Sequence, residues 1–130
     1  MAVRLEENKE LVMKKIQGII KLFEAIHSVS VNDWVYTNLK IWEKEPEKTV
    51  FYLISEDEID ELEDEGGTVE NTSGEVIPKS LERENVETWL DIQTLQAISH
   101  VIQKSVKAPG GTLLIQAINY YREYDDFMEG

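Results

Sequence analysis

Six consecutive residues, Thr49-Val-Phe-Tyr-Leu-Ile54, form a continuous apolar, β-branched and aromatic run. Its length and composition predict a buried strand, and any fold open to this chain has to bury it. Both ends of the run are marked. Before it, Glu43 to Lys48 contains Pro46 and predicts a turn. After it, Ser55 with Glu58 three residues on spells a capping box, which predicts a short acidic helix over Glu56 to Asp64. That helix turns only Ile59 and Leu62 inward and ends at Gly66-Gly67.

The strand needs a neighbour. Following the punctuation Asn32-Asp33, Trp34-Val35-Tyr36 and Lys40-Ile41-Trp42 flank Thr37-Asn38 in a stretch rich in strand formers. The two stretches together predict a hairpin with a long charged loop. Upstream, Leu5, Val12, Ile16, Ile19, Phe23 and Ile26 fall at helical spacing, so one long helix is expected from Leu5 to Ser28, with Gly18 weakening it. Thr68 to Ser80 has the composition of an extended loop, anchored by Val69, Val76 and Ile77. Asn85 to Leu90 favours a third strand, with absorption into the next helix as the alternative. Asp91 is a good N-cap for a helix carrying Ile92, Leu95, Ile98, Val101, Ile102 and Val106 on one face. Ala108-Pro-Gly-Gly111 stops that helix, and Thr112 is expected to cap a last one. The expected fold is therefore α+β: a long N-terminal helix, a small antiparallel sheet of two or three strands, and two C-terminal helices packed on it.

A chain of 130 residues without repeat or linker is expected to be a single domain, 1–130. It has no cysteine, which removes disulfides, thiolate metal sites and cysteine nucleophiles and suits a cytoplasmic setting. The first residues lack the basic and apolar regions of a signal peptide, and no apolar stretch is long enough to span a bilayer. The net charge is −13, a field that repels phosphate backbones and anionic lipid alike. Direct nucleic-acid binding and membrane binding are thus disfavoured, and a basic protein partner is favoured. The charge is concentrated: residues 43–65 hold eleven acids against Lys44 and Lys48.

Chemistry is harder to find. The run Glu56-Asp57-Glu58-Ile59-Asp60-Glu61-Leu62-Glu63-Asp64-Glu65-Gly66 invites a calcium reading, but an EF-hand loop turning at Gly66 would end on Thr72 instead of a bidentate Glu. His27 and His100 lie apart, neither with a partner at zinc-motif spacing. Ser99 and His100 are adjacent on a helix and point about 100° apart, so they cannot form a nucleophile and base pair. Gly110-Gly111-Thr112 lacks the lysine and the longer glycine pattern of a phosphate loop. No catalytic residue, metal ligand or cofactor is expected.

Two surfaces remain as candidates for a partner. At the C-terminus, Asn119 to Glu129 crowds three tyrosines and four carboxylates into about three helical turns. There Tyr120, Tyr121, Tyr124, Asp125 and Asp126 combine rigid aromatic area with charges that suit Arg or Lys. The run Glu56, Asp57, Glu58, Asp60, Glu61, Glu63, Asp64 and Glu65 is the second, unless it is simply a solvated face.

The order of Trp34, the strand Val50 to Ile54 with its acidic turn, Asp91-Ile-Gln-Thr-Leu-Gln-Ala-Ile98 and Ala117-Ile-Asn-Tyr-Tyr-Arg-Glu-Tyr-Asp-Asp-Phe127 resembles an uncharacterised family of small acidic bacterial proteins. In general character the chain also resembles the immunity proteins of bacterial toxin systems. That resemblance implies an immunity or antitoxin-like inhibitor of a basic toxin domain, such as a nuclease. A structural or adaptor module, and a small hydrolase, are the alternatives.

Overall fold

The computed structural model describes residues 14–28 and 33–128. The elements run β1 (Lys14–Gln17), α1 (Ile19–Ala25), β2 (Asp33–Thr37), α2 (Leu39–Lys44), a 3₁₀ turn at Pro46–Lys48 and β3 (Val50–Ser55). They continue through α3 (Glu56–Asp64), β4 (Thr68–Glu70), β5 (Val76–Pro78), a 3₁₀ segment at Lys79–Glu84, β6 (Glu87–Asp91), α4 (Ile92–Gln103) and α5 (Gly111–Tyr124).

The apolar run becomes β3, an inner strand of a four-stranded sheet ordered β1-β3-β2-β6 with every neighbouring pair antiparallel. Because β1 and β2 flank β3 and both run against it, they are parallel to each other. Helix α1 joins them, which makes a split β-α-β unit. Alternation along β3 sends Phe51 and Leu53 to one face and Tyr52 and Ile54 to the other. On the first face, Phe51 and Leu53 meet α1, α4 and α5 through Leu22, Ile26, Leu95, Ile98 and Ile118. On the second, Tyr52 and Ile54 join Tyr36 of β2 beneath Ile77, Leu81 and Val86. Both faces of β3 are covered, which is why its sequence reads as continuously apolar instead of alternating.

Several local expectations are met. The Ser55 side chain accepts from the Glu58 N–H at 3.2 Å while the Glu58 carboxylate accepts from the Ser55 N–H at 3.2 Å, so the capping box is complete. Asp91 caps α4 by accepting from the Thr94 N–H. The stretch preceding it is the strand β6.

The general α+β character stands, but the expected architecture does not. No long N-terminal helix crosses residues 14–28. Lys14–Gln17 pairs with β3, Lys14 opposite Leu53 and Gln17 opposite Val50, and only Ile19–Ala25 is helical. Gly18 is the break: its φ of 94° belongs to glycine, and its N–H donates to the Thr49 carbonyl at 3.0 Å. The second edge of β3 needed a hydrogen-bonding partner, and this segment supplies it at the expense of helical periodicity. Residues 5–13 of the expected helix lie outside the described residues. The sheet has four strands instead of two or three, and a separate two-stranded sheet, β4 with β5, replaces the extended loop at 68–80. There Asn71 takes the turn: its side-chain oxygen accepts from the Ser73 and Glu75 N–H groups. Lys40-Ile41-Trp42 is helical, capped by the Asn38 side chain accepting from the Ile41 N–H, which turns Trp42 into the core against Phe51 and Trp89. The N-cap of α5 is Gly110, two residues before the expected Thr112.

Candidate functional site

The covering of the second face is incomplete at one corner. Trp34 and Tyr36 alternate onto that face of β2, where Trp34 opposes Ile54 and Asp91 and Tyr36 opposes Tyr52 and Thr88. The register with β6 shifts between the two, a bulge-like irregularity of the kind that re-aims a side chain at a sheet edge. Helix α3 starts directly from the end of β3 and brings Glu56, Ile59 and Asp60 alongside, while the β4–β5 turn brings Glu75 from the other side. The result is a cleft of about 410 Å³ lined by Trp34, Tyr36, Glu56, Ile59, Asp60, Glu75 and Thr88. Tyr36 is buried at its floor, and Trp34 stands at the rim with 36% of its surface exposed.

Its polar groups are held in place. The Trp34 indole N–H donates to Glu56 Oε1 at 3.3 Å, tying the ring to the first turn of α3. Glu75 Oε1 accepts from the Asn71 amide at 2.9 Å and from the Thr88 N–H at 3.0 Å. Asn71 also donates to the Val86 carbonyl at 3.0 Å, so the turn is fastened to the chain entering β6. Burial alone would raise the pKa of Glu75, but hydrogen bonds from the Thr88 N–H, the Asn71 amide and the Thr88 hydroxyl prevail and lower it. The carboxylate is therefore ionised. Burial, and then the charges of Glu75 and Glu56, push the Tyr36 phenol upward against an opposing hydrogen bond with Thr88, so it stays neutral. The cleft thus joins two aromatic side chains to three carboxylates, and among the described residues none of those lining it is basic.

Of the acidic run 56–65, only Glu56 and Asp60 reach this cleft. Glu58 is committed to the capping box. Asp57, Glu61, Glu63, Asp64 and Glu65 are exposed on or just beyond α3. The C-terminal candidates are dispersed differently. Tyr120 and Asp126 line a groove of about 770 Å³ together with Val101, Lys104, Ser105, Phe127 and Met128. Tyr124 packs on Tyr120 in a tilted contact with ring centroids 4.7 Å apart, whereas Tyr121 packs on Phe127 at 5.3 Å and faces the core. Asp125, at φ 54°, ends α5, and the Asp126 carboxylate accepts from the Phe127 N–H. Lys104 sits in this groove, so it is less suited to a cation than the cleft.

The residues that sequence reasoning missed are Trp34, Tyr36, Glu75 and Thr88. The spacing of Trp34 and Tyr36 on a strand carried a signal, since it puts both rings on one face. Glu75 carries none, because its stretch has the composition of an extended loop. His27 and His100, neither of which has a partner at zinc-motif spacing in the sequence, line one groove of about 490 Å³ with Gln93, Gln96, Ala97, Ser99 and Gln103. Ser99 is buried and His100 exposed. Among the described residues no group of three or more His, Asp or Glu side chains is placed to hold a metal ion. No described helix is long and apolar enough to cross a membrane.

Residues 15–130 match a family model described as a domain of unknown function, DUF7716, and the chain belongs to that family. Comparison with curated proteins and with solved structures found no match.

Proposed function

We propose that this member of the DUF7716 family is a binding protein of the immunity or antitoxin type, which docks a basic partner such as a toxin domain on its acidic aromatic cleft and so inhibits it. The observation that carries this reading is the convergence of Trp34 and Tyr36 with Glu56, Asp60 and Glu75 in one concave site. Aromatic surface offers contact area at low entropic cost, and carboxylates fixed in advance favour a cation without reorganising. The charge of −13 adds long-range steering toward a basic protein.

A catalytic reading has less support. A hydrolase working by general acid catalysis needs a carboxylate of raised pKa, and Glu75 is shifted the other way. An adaptor without electrostatic specificity would bind with little dependence on salt. The test is to express the protein with purified-component controls against a panel of basic bacterial toxin domains. The expected outcome is neutralisation of at least one of them, with a complex whose affinity falls as salt rises from 50 to 300 mM, by about tenfold or more. Complexes insensitive to salt and to Glu75→Gln, or no complex at any concentration tried, would overturn the reading.

A further inference from the structure

We infer that the cleft is an arginine receptor: it takes the guanidinium of one arginine side chain projecting from the protein partner, in preference to a lysine ammonium. The inference rests on the binding role proposed above and deepens it by naming the group recognised. Three features of the cleft argue for it. First, its walls combine the Trp34 and Tyr36 rings with the Ile59 side chain, so the group that enters meets apolar and aromatic surface before it meets charge. Guanidinium is planar and weakly hydrated and stacks on such surface, whereas ammonium is compact and gives up water reluctantly.

Second, the carboxylates arrive from different elements, Glu56 and Asp60 from α3 and Glu75 from the β4–β5 turn. A forked donor with five N–H groups can engage more than one of them at once, which a point charge does less well. Third, the acceptors are set beforehand. Glu56 is tethered by the Trp34 indole, and Glu75 is ionised under hydrogen bonds from Asn71 and Thr88. An ionised carboxylate offers about four acceptor positions, so the two donors on Glu75 Oε1, the Asn71 amide and the Thr88 N–H, leave positions for a ligand. Tyr36, neutral and hydroxyl-bearing, closes the floor without adding a charge.

The test uses the whole chain and three blocked pentapeptides, Gly-Gly-X-Gly-Gly, with arginine, lysine or the neutral isostere citrulline at X. The Trp34 indole N–H is followed by NMR while each is titrated. The arginine peptide is expected to shift that signal and to bind about tenfold more tightly than the lysine peptide, with citrulline leaving it unmoved. Glu75→Gln, and Trp34→Ala followed by calorimetry because it lacks the reporting indole, should each weaken the arginine peptide by about tenfold, whereas Asp126→Asn should not. Unchanged signals from Trp42 and Trp89 in these variants would show that the core is intact. Equal affinity for arginine and lysine overturns the arginine preference while leaving the basic-partner reading standing. Failure of both peptides to move the Trp34 signal overturns both.

Discussion

A carboxylate that accepts hydrogen bonds from an amide side chain and a backbone N–H, as Glu75 does, keeps its charge against partial burial. Its lowered pKa has a consequence for stability. A depressed carboxylate stabilises the fold above its ordinary value of 4.5, and that contribution is lost as pH falls through the lower folded-state value. The wild-type protein should therefore lose protection of the Thr88 amide toward hydrogen exchange on acidification below about pH 4.5, earlier than it unfolds globally. Glu75→Gln should flatten that part of the pH profile and cost on the order of 1 kcal/mol at neutral pH. A profile identical in the two proteins would mean that Glu75 does not fasten the turn. Trp34 contributes at the same scale in the opposite sense: it is exposed, so its removal should barely change stability while impairing binding.

Among the elements, α3 is the one whose position decides the site, because two of the three cleft carboxylates ride on its first turns. The capping box at Ser55 and Glu58 sets where that helix starts. Ser55→Ala should cost about 1 kcal/mol in denaturant unfolding and raise hydrogen exchange in the first turn of α3, loosening Glu56 and Asp60 with it. An unchanged unfolding midpoint would remove the cap from the account. This element was legible in the sequence, as were β3, β6 and α4, because each depends on signals carried within a few residues: a cap, a continuous apolar run, a helical stripe. The illegible parts depend on contacts remote in sequence. Lys14–Gln17 is a strand because β3 had an edge to satisfy, and Lys40 to Trp42 is helical although rich in strand formers, because Trp42 is drawn against Trp89. The hairpin at 68–78 has few apolar anchors, and it is fixed by Asn71 reaching Glu75 and Val86. The candidate site was half legible for the same reason. Glu56 and Asp60 were marked by the acidic run, but their meeting with Trp34, Tyr36 and Glu75 depends on how the hairpin covers the sheet.

At the scale of the whole molecule, the sheet separates the two acidic surfaces. Helix α5, with its tyrosines and aspartates, packs on the face that bears Phe51 and Leu53, and the cleft opens in the layer covering Tyr52 and Ile54. One flat partner surface therefore has to favour one of them. On the proposed reading the net charge of −13 governs the encounter with a basic protein, and the local site governs what stays bound. On the proposed reading the cleft is the better retainer because every charged residue lining it is acidic, whereas Lys104 interrupts the C-terminal groove. The direct measurement is the association and dissociation kinetics, at matched salt, of a basic toxin domain identified by the neutralisation test with the wild-type protein and two variants. In one, Glu56→Gln, Asp60→Asn and Glu75→Gln neutralise the cleft; in the other, Asp125→Lys and Asp126→Lys reverse charge at the end of α5. Neutralising the cleft should weaken binding by about a hundredfold through faster dissociation, and reversing the C-terminal pair should weaken it by only a few-fold through slower association. Full affinity in the cleft variant, with binding lost in the C-terminal one, would contradict the account and move the contact surface to α5.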